Sequence, residues 1–261
     1  MVDSSSPGRI ADIWSSFLHK KAVIVVPDEN GLIAVNKPAG VISHPNFGDE
    51  GCNSLIRASY DLRRRAYLVN GGEIFLLNRL DAPTEGLVLL TSSEQVALAV
   101  RKCFQQCSIR KIYYAFTKCG PVPSSPWHDC ADERSNGKSV HLHHGSGTEL
   151  RTKAKVIEKI QWENLSCFLL KLQPLTGRTH QLRFQCSRHG VHIAGDRIYG
   201  DFGYNKAFHA TTRSHKLQLL AAEIEIDYTL KDKVFHFSAR TPSLDGFLSL
   251  PGCGKRSTDL S

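Results

Sequence analysis

A chain of 261 residues, 41% of them hydrophobic, is long enough for one large domain or two small ones and too apolar for a disordered chain. No apolar run approaches the ~20 residues that span a bilayer. The N-terminal MVDSSSPGRIADIWSSFLHKK lacks the basic-then-apolar order of an export signal, so a cytoplasmic protein is expected. Lys and Arg total 33 against 25 acidic residues, a net charge of +8 that suits a polyanionic partner without requiring one. The eight cysteines are irregularly spaced and form no Cys-x-x-Cys, which fits reduced thiols better than a disulfide framework.

The Ser-rich residues 1–21 read as an arm, residues 22–250 as one α+β domain, and residues 251–261 as a tail. AVIVVPDENGLIAVNKPAG (22–40) reads as two short strands around an Asp-Glu-Asn-Gly turn, the second stopped by Lys37-Pro38. LVLLT (87–91) is a continuous apolar run and predicts a strand covered on both faces. Ser92, with Gln95 three residues on, forms a capping box for a helix burying Val96, Val100, Cys103 or Phe104, and Cys107, with Arg101, Lys102, Gln105 and Gln106 opposite. KIYYAFTKC (111–119) returns to strand, and 121–150, rich in Pro, Ser, Gly and His, reads as an irregular excursion. Strands resume at 151–160 and 166–175, then a Thr176-Gly177 turn leads into a helix over roughly 179–188, closed by Gly190. LQLLAAEIEIDYTL and KVFHFSAR predict a closing hairpin, giving a mixed, mainly antiparallel sheet flanked by helices.

Three stretches carry candidate chemistry. In LNRLDAPTEGLVLL, Asp81 sits between Arg79 and a turn at the rim of a core strand. Asp followed by Pro and Gly is ordinary turn chemistry, but a carboxylate held there is immobile and partly desolvated. In PLTGRTHQLRFQCSRHG, a turn meets a helix start beside Arg178 and Arg183, which favours an anion. Five positions separate the two arginines, so they project at different angles. In RKIYYAF, Tyr113 and Tyr114 point to opposite faces of a strand, one toward the core and the other available to a base. HLHHG (141–145) with Cys130 offers zinc-ligand types, without the spacing of a zinc finger or of His-Glu-x-x-His. No Walker loop, Gly-x-Gly-x-x-Gly or serine elbow occurs, so a nucleotide cofactor and serine hydrolysis lack support.

Four ordered motifs resemble the RluA-type RNA pseudouridine synthases. AVNKPAGVISHP is similar to that family's Lys-Pro-x-Gly segment, and RLDAPTEGLVLLTSS to its Arg-Leu-Asp motif. KIYYAF resembles its Lys-x-Tyr-x-Ala strand, and LTGRTHQLRFQCSRHGVHIAGDRIYG its Thr-Gly-Arg-Thr-His-Gln-x-Arg segment running on through Gly-Asp-x-x-Tyr-Gly. The resemblance implies a pseudouridine synthase fold with a central RNA-binding cleft. Within it, Asp81 is the catalytic aspartate, Arg183 its partner, and Tyr113 the residue that stacks on the flipped base. Arg79, Arg178 and Leu182 would meet the RNA substrate. It also implies isomerisation of uridine in rRNA or tRNA with no cofactor or metal; a monomer without membrane association is the default expectation. Two positions depart from the family pattern: Asn78 stands where the family usually has His, and Glu85 where it usually has Ser. About 20 residues precede the first motif, too few for the small N-terminal RNA-binding domain of many members, so recognition is expected from the catalytic domain, with the 121–150 excursion or Arg63-Arg64-Arg65. Two alternatives are a catalytically silent RNA-binding protein with the same fold and a metal hydrolase centred on the histidines.

Overall fold

The computed structural model describes residue 14 and residues 16–45, 53–118, 126–135, 140–162 and 165–249. Most of the expected N-terminal arm and all of the expected tail at 251–261 lie outside these residues. The fold is α+β with antiparallel strand pairing, as anticipated. The chain divides into two compact units, Met1–Lys111 with Ala221–Pro242, and Ile112–Leu220 with Ser243–Ser261.

In the first unit, β1 (Val23–Pro27) and β2 (Leu32–Lys37) form the expected hairpin. Its turn is held by the Asp28 carboxylate, which accepts from the N–H groups of Asn30 (2.9 Å) and Leu32 (2.8 Å), and by Gly31 at φ +82°. After β3 (Ser59–Asp61), β4 (Ala66–Val69) and β5 (Gly72–Leu76) comes β6 (Glu85–Thr91), paired along its length with β2. Leu87, Val88, Leu89 and Leu90 are all buried, so both faces of β6 are covered, as the unbroken apolar run requires. The strands β12 (Leu219–Leu230) and β13 (Lys233–Arg240) close on a two-residue turn, Lys231-Asp232, with φ +46° and +62°. Two left-handed residues match the right-handed twist of the strands, here without a glycine.

Helix α1 (Glu94–Gln105) buries Val96, Ala97, Val100 and Cys103 against Leu87, Leu89, Ile224 and Ile226. Its N-cap is Ser93, whose side chain accepts from the Val96 N–H at 3.3 Å; the cap thus stands one residue later than expected, and with Val96 at the third helical position the expected Ser92–Gln95 capping box does not form. Cys107 is exposed, beyond the helix at φ +55°, and does not continue the buried stripe.

Gly86 ties β6 to β12. Its φ is +124°, and a Cβ there would stand 2.2 Å from the Ala221 carbonyl oxygen. Backbone cannot yield as a flexible side chain does. Gly86→Ala is expected to cost more than about 3 kcal/mol, strain and overlap together, read as a fall in the urea unfolding midpoint.

The second unit is a sheet of β7 (Arg110–Lys118), β11 (Ser166–Pro174), β10 (Thr148–Gln161), β8 (Trp127–Ser135) and β9 (Val140–His144), each pairing antiparallel with the next. The segment expected as an irregular excursion over 121–150 is therefore largely a hairpin in its described parts. Among the described residues, three helices accompany the sheet: α2 (Gln181–Arg188), α3 (Phe202–Thr212) and α4 (Leu244–Leu248). α2 ends as expected: Gly190 at φ +73° lets the Val191 N–H reach the Cys186 carbonyl (2.9 Å) and the Gly190 N–H reach that of Ser187 (3.0 Å). Neither α3 nor α4 is apparent in the sequence pattern.

Candidate active site

The loop carrying Arg79, Leu80 and Asp81 leaves β5 and returns at β6, and nearly every residue of it is tied down. Asn78 turns its amide onto β6, accepting from the Leu89 N–H (2.7 Å) and donating to the Leu87 carbonyl (3.3 Å). It extends the strand pairing by side chain, which gives the departure at Asn78 a structural role. Ser43 Oγ accepts from the Leu80 N–H (3.0 Å) and donates to the Leu80 carbonyl (2.8 Å). The Thr84 N–H closes a turn on the Asp81 carbonyl at 3.0 Å, and the Gly40 N–H donates to the Ala82 carbonyl at 2.8 Å. A partly buried Asp81 is thus fixed by the backbone on both sides of it.

Lys37, from the Lys-Pro-x-Gly motif, lies beneath this loop. It is fully buried, and Nζ donates to the carbonyls of Val41 (2.6 Å), Pro38 (3.1 Å) and Ala82 (3.1 Å). Burial pulls its ammonium group down to about 8, against the opposing pull of the Asp81 and Glu85 charges. Below pH 8 the group is charged in both states. Between pH 8 and its ordinary value of 10.5 the unfolded chain keeps a proton that the folded chain has released, so stability rises with pH. Wild type should gain up to about 1 kcal/mol per pH unit across this window relative to Lys37→Met, read by urea unfolding at several pH values.

In the second unit, Tyr114 is buried and Tyr113 on the opposite face is partly exposed, as the alternation predicted. Tyr113 packs against a cluster containing Leu182, Cys186, Val191 and Leu217. Leu182 itself is 6% exposed, so little of its surface is available to a substrate. Arg178 is exposed, whereas Arg183 is buried. α2 begins at Gln181 after a left-handed His180 with no side-chain cap; the Gln181 side chain instead folds back to accept from the Arg178 N–H at 3.1 Å.

Arg183 has a partner that no motif spacing announced. Asp196 accepts from its Nε and Nη2, both at 2.8 Å, in a bidentate pair with both side chains almost wholly buried. The same carboxylate accepts from the N–H groups of Ile198 (2.9 Å) and Tyr199 (3.1 Å). Burial pushes the Asp196 carboxyl up, but the Arg183 hydrogen bonds and charge, with the two backbone N–H groups, outweigh it and hold the group below the ordinary carboxylate value. The guanidinium carbon lies 5.4 Å from the centre of the Tyr199 ring, whose hydroxyl accepts from the Leu142 N–H at 2.9 Å. Asp196 occupies two of the five guanidinium donors and fixes the plane of the rest. Both Asp196 and Tyr199 lie in the Gly-Asp-x-x-Tyr-Gly stretch, the one sequence signal that could have found them.

Among the described residues, no group of three His, Cys, Asp or Glu side chains is placed to hold a metal ion, and no helix is long and apolar enough to cross a membrane. His189 is instead engaged with Asp129 (3.0 Å), which also accepts from Gln185 at 2.7 Å.

A family model described as RNA pseudouridylate synthase matches residues 31–188. The tRNA pseudouridine synthase C of Vibrio cholerae is 31% identical over 214 residues, covering 77% of this chain and 83% of that protein. The ribosomal large subunit pseudouridine synthase C of Rickettsia felis is 29% identical over 180 residues, covering 68% of this chain and 56% of that protein. The solved structure of human RNA pseudouridylate synthase domain containing 1 aligns with a TM-score of 0.62 at 21% identity, over 87% of this chain and 86% of that one.

Proposed function

The chain belongs to the RNA pseudouridylate synthase family, and from that premise we propose that it isomerises uridine in transfer or ribosomal RNA with Asp81 as the reacting carboxylate. The observation that carries this reading is the Asp81 loop, which holds one carboxylate still through Ser43, Gly40, Asn78 and Lys37. The reaction breaks the bond from N1 of the base to C1′ of the ribose, turns the base, and forms a bond from C5 to C1′. The proton on C5 leaves to solvent and N1 gains one, so atoms balance without oxidant, reductant or water. An ionised carboxylate beside C1′ serves as a nucleophile there or as a base at the neighbouring ribose carbon. Either role needs it deprotonated and immobile, as glycosidases need theirs.

Tyr113 and Arg183 are assigned by the motif positions they occupy. Tyr113 stacks on the base and assists proton loss at C5. Arg183, its plane set by Asp196, compensates the Asp81 charge. A base inside a stack is out of reach of any of these groups, so the target uridine is flipped out, and Arg79 and Arg178, both exposed, face the RNA. The names of the relatives divide between tRNA and the large ribosomal RNA, and the test spans both. Pseudouridines are mapped in tRNA and rRNA from cells with and without the gene. Loss of at least one site, restored by the wild-type gene, is expected; an unchanged map in both RNAs contradicts the proposal.

A further inference from the structure

The first unit gathers several cations beside the Asp81 loop, and they are not alike. Arg64 is neutralised, with Nε 2.5 Å from one Glu73 oxygen and Nη2 3.2 Å from Glu94. Arg65, Arg79 and Arg101 have no carboxylate within ion-pair distance among the described residues. They surround a stack of rings. His44 lies on Tyr60 with centroids 4.7 Å apart and planes 11° apart, and Tyr67 meets Tyr60 edge-on at 4.8 Å. Arg79 Nη1 donates to His44 Nε2 at 3.0 Å, while His44 Nδ1 faces the Pro45 carbonyl at 3.0 Å, which fixes the neutral tautomer with its proton on Nδ1.

Arg101 reaches across from α1, its Nη2 donating to the Arg64 (2.9 Å) and Arg65 (3.2 Å) carbonyls, and its Nε is buried without a hydrogen-bond partner. Arg65, in the left-handed conformation at φ +55°, interacts directly with the Tyr60 hydroxyl. Burial raises that hydroxyl above its ordinary value despite the three arginines, so it remains a proton donor at neutral pH. The platform is continuous with the reacting loop, because the Tyr67 hydroxyl donates to the Ser43 carbonyl and the Ser43 side chain holds Leu80.

Three guanidinium groups brought together with no carboxylate at ion-pair distance among the described residues repel one another, and the Tyr60 hydroxyl in their midst is protonated and able to donate. That combination suits an anion with several acceptor oxygens. We propose that Arg65, Arg79 and Arg101, around the His44–Tyr60 stack, form a subsite for the RNA backbone that grips a phosphodiester beside the target uridine. The assignment rests on the reading of the chain as an RNA-modifying enzyme and extends it from the reacting base to its flank. His44 acts here as a positioning residue for Arg79.

The test is the salt dependence of binding to unmodified tRNA transcripts, for wild type, Arg65→Gln, Arg101→Gln and Lys20→Gln. Lys20 is exposed and stands outside the cluster, so its variant removes one charge without touching the subsite. Arg65→Gln and Arg101→Gln should each flatten the plot of log affinity against log salt by about 0.7–0.9, the loss of one phosphate contact, and Lys20→Gln should leave it unchanged. Arg101 also bonds two carbonyls, so thermal unfolding is measured for each variant; Arg65, exposed, keeps the test decisive if the Arg101 variant does not fold. A slope for Arg65→Gln equal to that for Lys20→Gln overturns the subsite. Turnover of the same transcripts by wild type is measured separately. Flattened slopes uphold the subsite whether or not these transcripts are turned over, and turnover with unchanged slopes refutes the subsite alone; the enzymatic reading falls if rRNA transcripts are not turned over either.

Discussion

Asp81→Asn is expected to lower the single-turnover rate of pseudouridine formation by at least about 10⁴-fold, the scale of losing a group that reacts directly with substrate. RNA binding should change by less than about threefold, because the grip on RNA is assigned to arginines on its flank and not to the carboxylate. Asparagine has the same shape, and what fixes the loop here is mainly backbone: the Asp81 carbonyl accepts from Thr84, and Ala82 is held by Gly40 and Lys37. The folded state loses the attraction of the Asp81 charge to the cations around it, the buried Lys37 ammonium among them, so unfolding should shift by about 1 kcal/mol. Filter binding, rapid-quench turnover and urea unfolding on one preparation separate these quantities. Residual turnover within tenfold of wild type would remove Asp81 from the chemistry.

Arg183→Lys is the second large effect, and the buried pair with Asp196 is why lysine is more telling than alanine. Alanine would leave Asp196 as an uncompensated buried charge, at a cost of about 3–5 kcal/mol, and lost activity would then report lost fold. Lysine keeps the charge but has no planar fork, so it satisfies one Asp196 oxygen and no longer presents the remaining donors in a fixed plane. Turnover is expected to fall about 10²–10³-fold with RNA affinity nearly unchanged, at a stability cost of about 1–3 kcal/mol. Asp196→Asn frees the same plane from the other side and should reproduce the turnover defect, but it also strips the buried guanidinium of this counter-charge, so its turnover is read together with its urea unfolding. Wild-type rates in Arg183→Lys would contradict the assignment, and a loss of binding as large as the loss of turnover would place Arg183 among the RNA contacts instead.

Much of the fold was legible because local and tertiary preferences agree. The unbroken apolar run of β6 is buried on both faces, and the Asp-Glu-Asn-Gly turn of β1 and β2 uses the Asp28 side chain as an Asx turn. β8 hid itself for a physical reason. Its inward positions are Trp127, Asp129 and Ala131, and a buried acid, satisfied by Gln185 and His189, breaks the alternation that announces a strand. α3 was equally quiet, since it buries only Tyr204, Phe208 and Thr212 within a polar run. At the site, the opposed faces of Tyr113 and Tyr114 follow from strand period alone. The Arg183–Asp196 pair and the Arg79–His44–Tyr60 network do not, because each joins segments whose approach is set by the fold and not by spacing. Asn78 is the instructive case. In the sequence it is a departure near the proposed reacting carboxylate; in the structure its amide stands in for a strand backbone.

In the proposed reaction this chain breaks the N-glycosidic bond of uridine and rebuilds it through C5 by means of Asp81. Release of tritium from C5-labelled uridine in tRNA and rRNA transcripts reports that event directly, because the C5 hydrogen is lost to solvent when the new bond is made. Wild type should release tritium in step with pseudouridine formed, and Asp81→Asn should release none above background. No release by wild type from any transcript that it binds, or equal release by both proteins, would contradict the account.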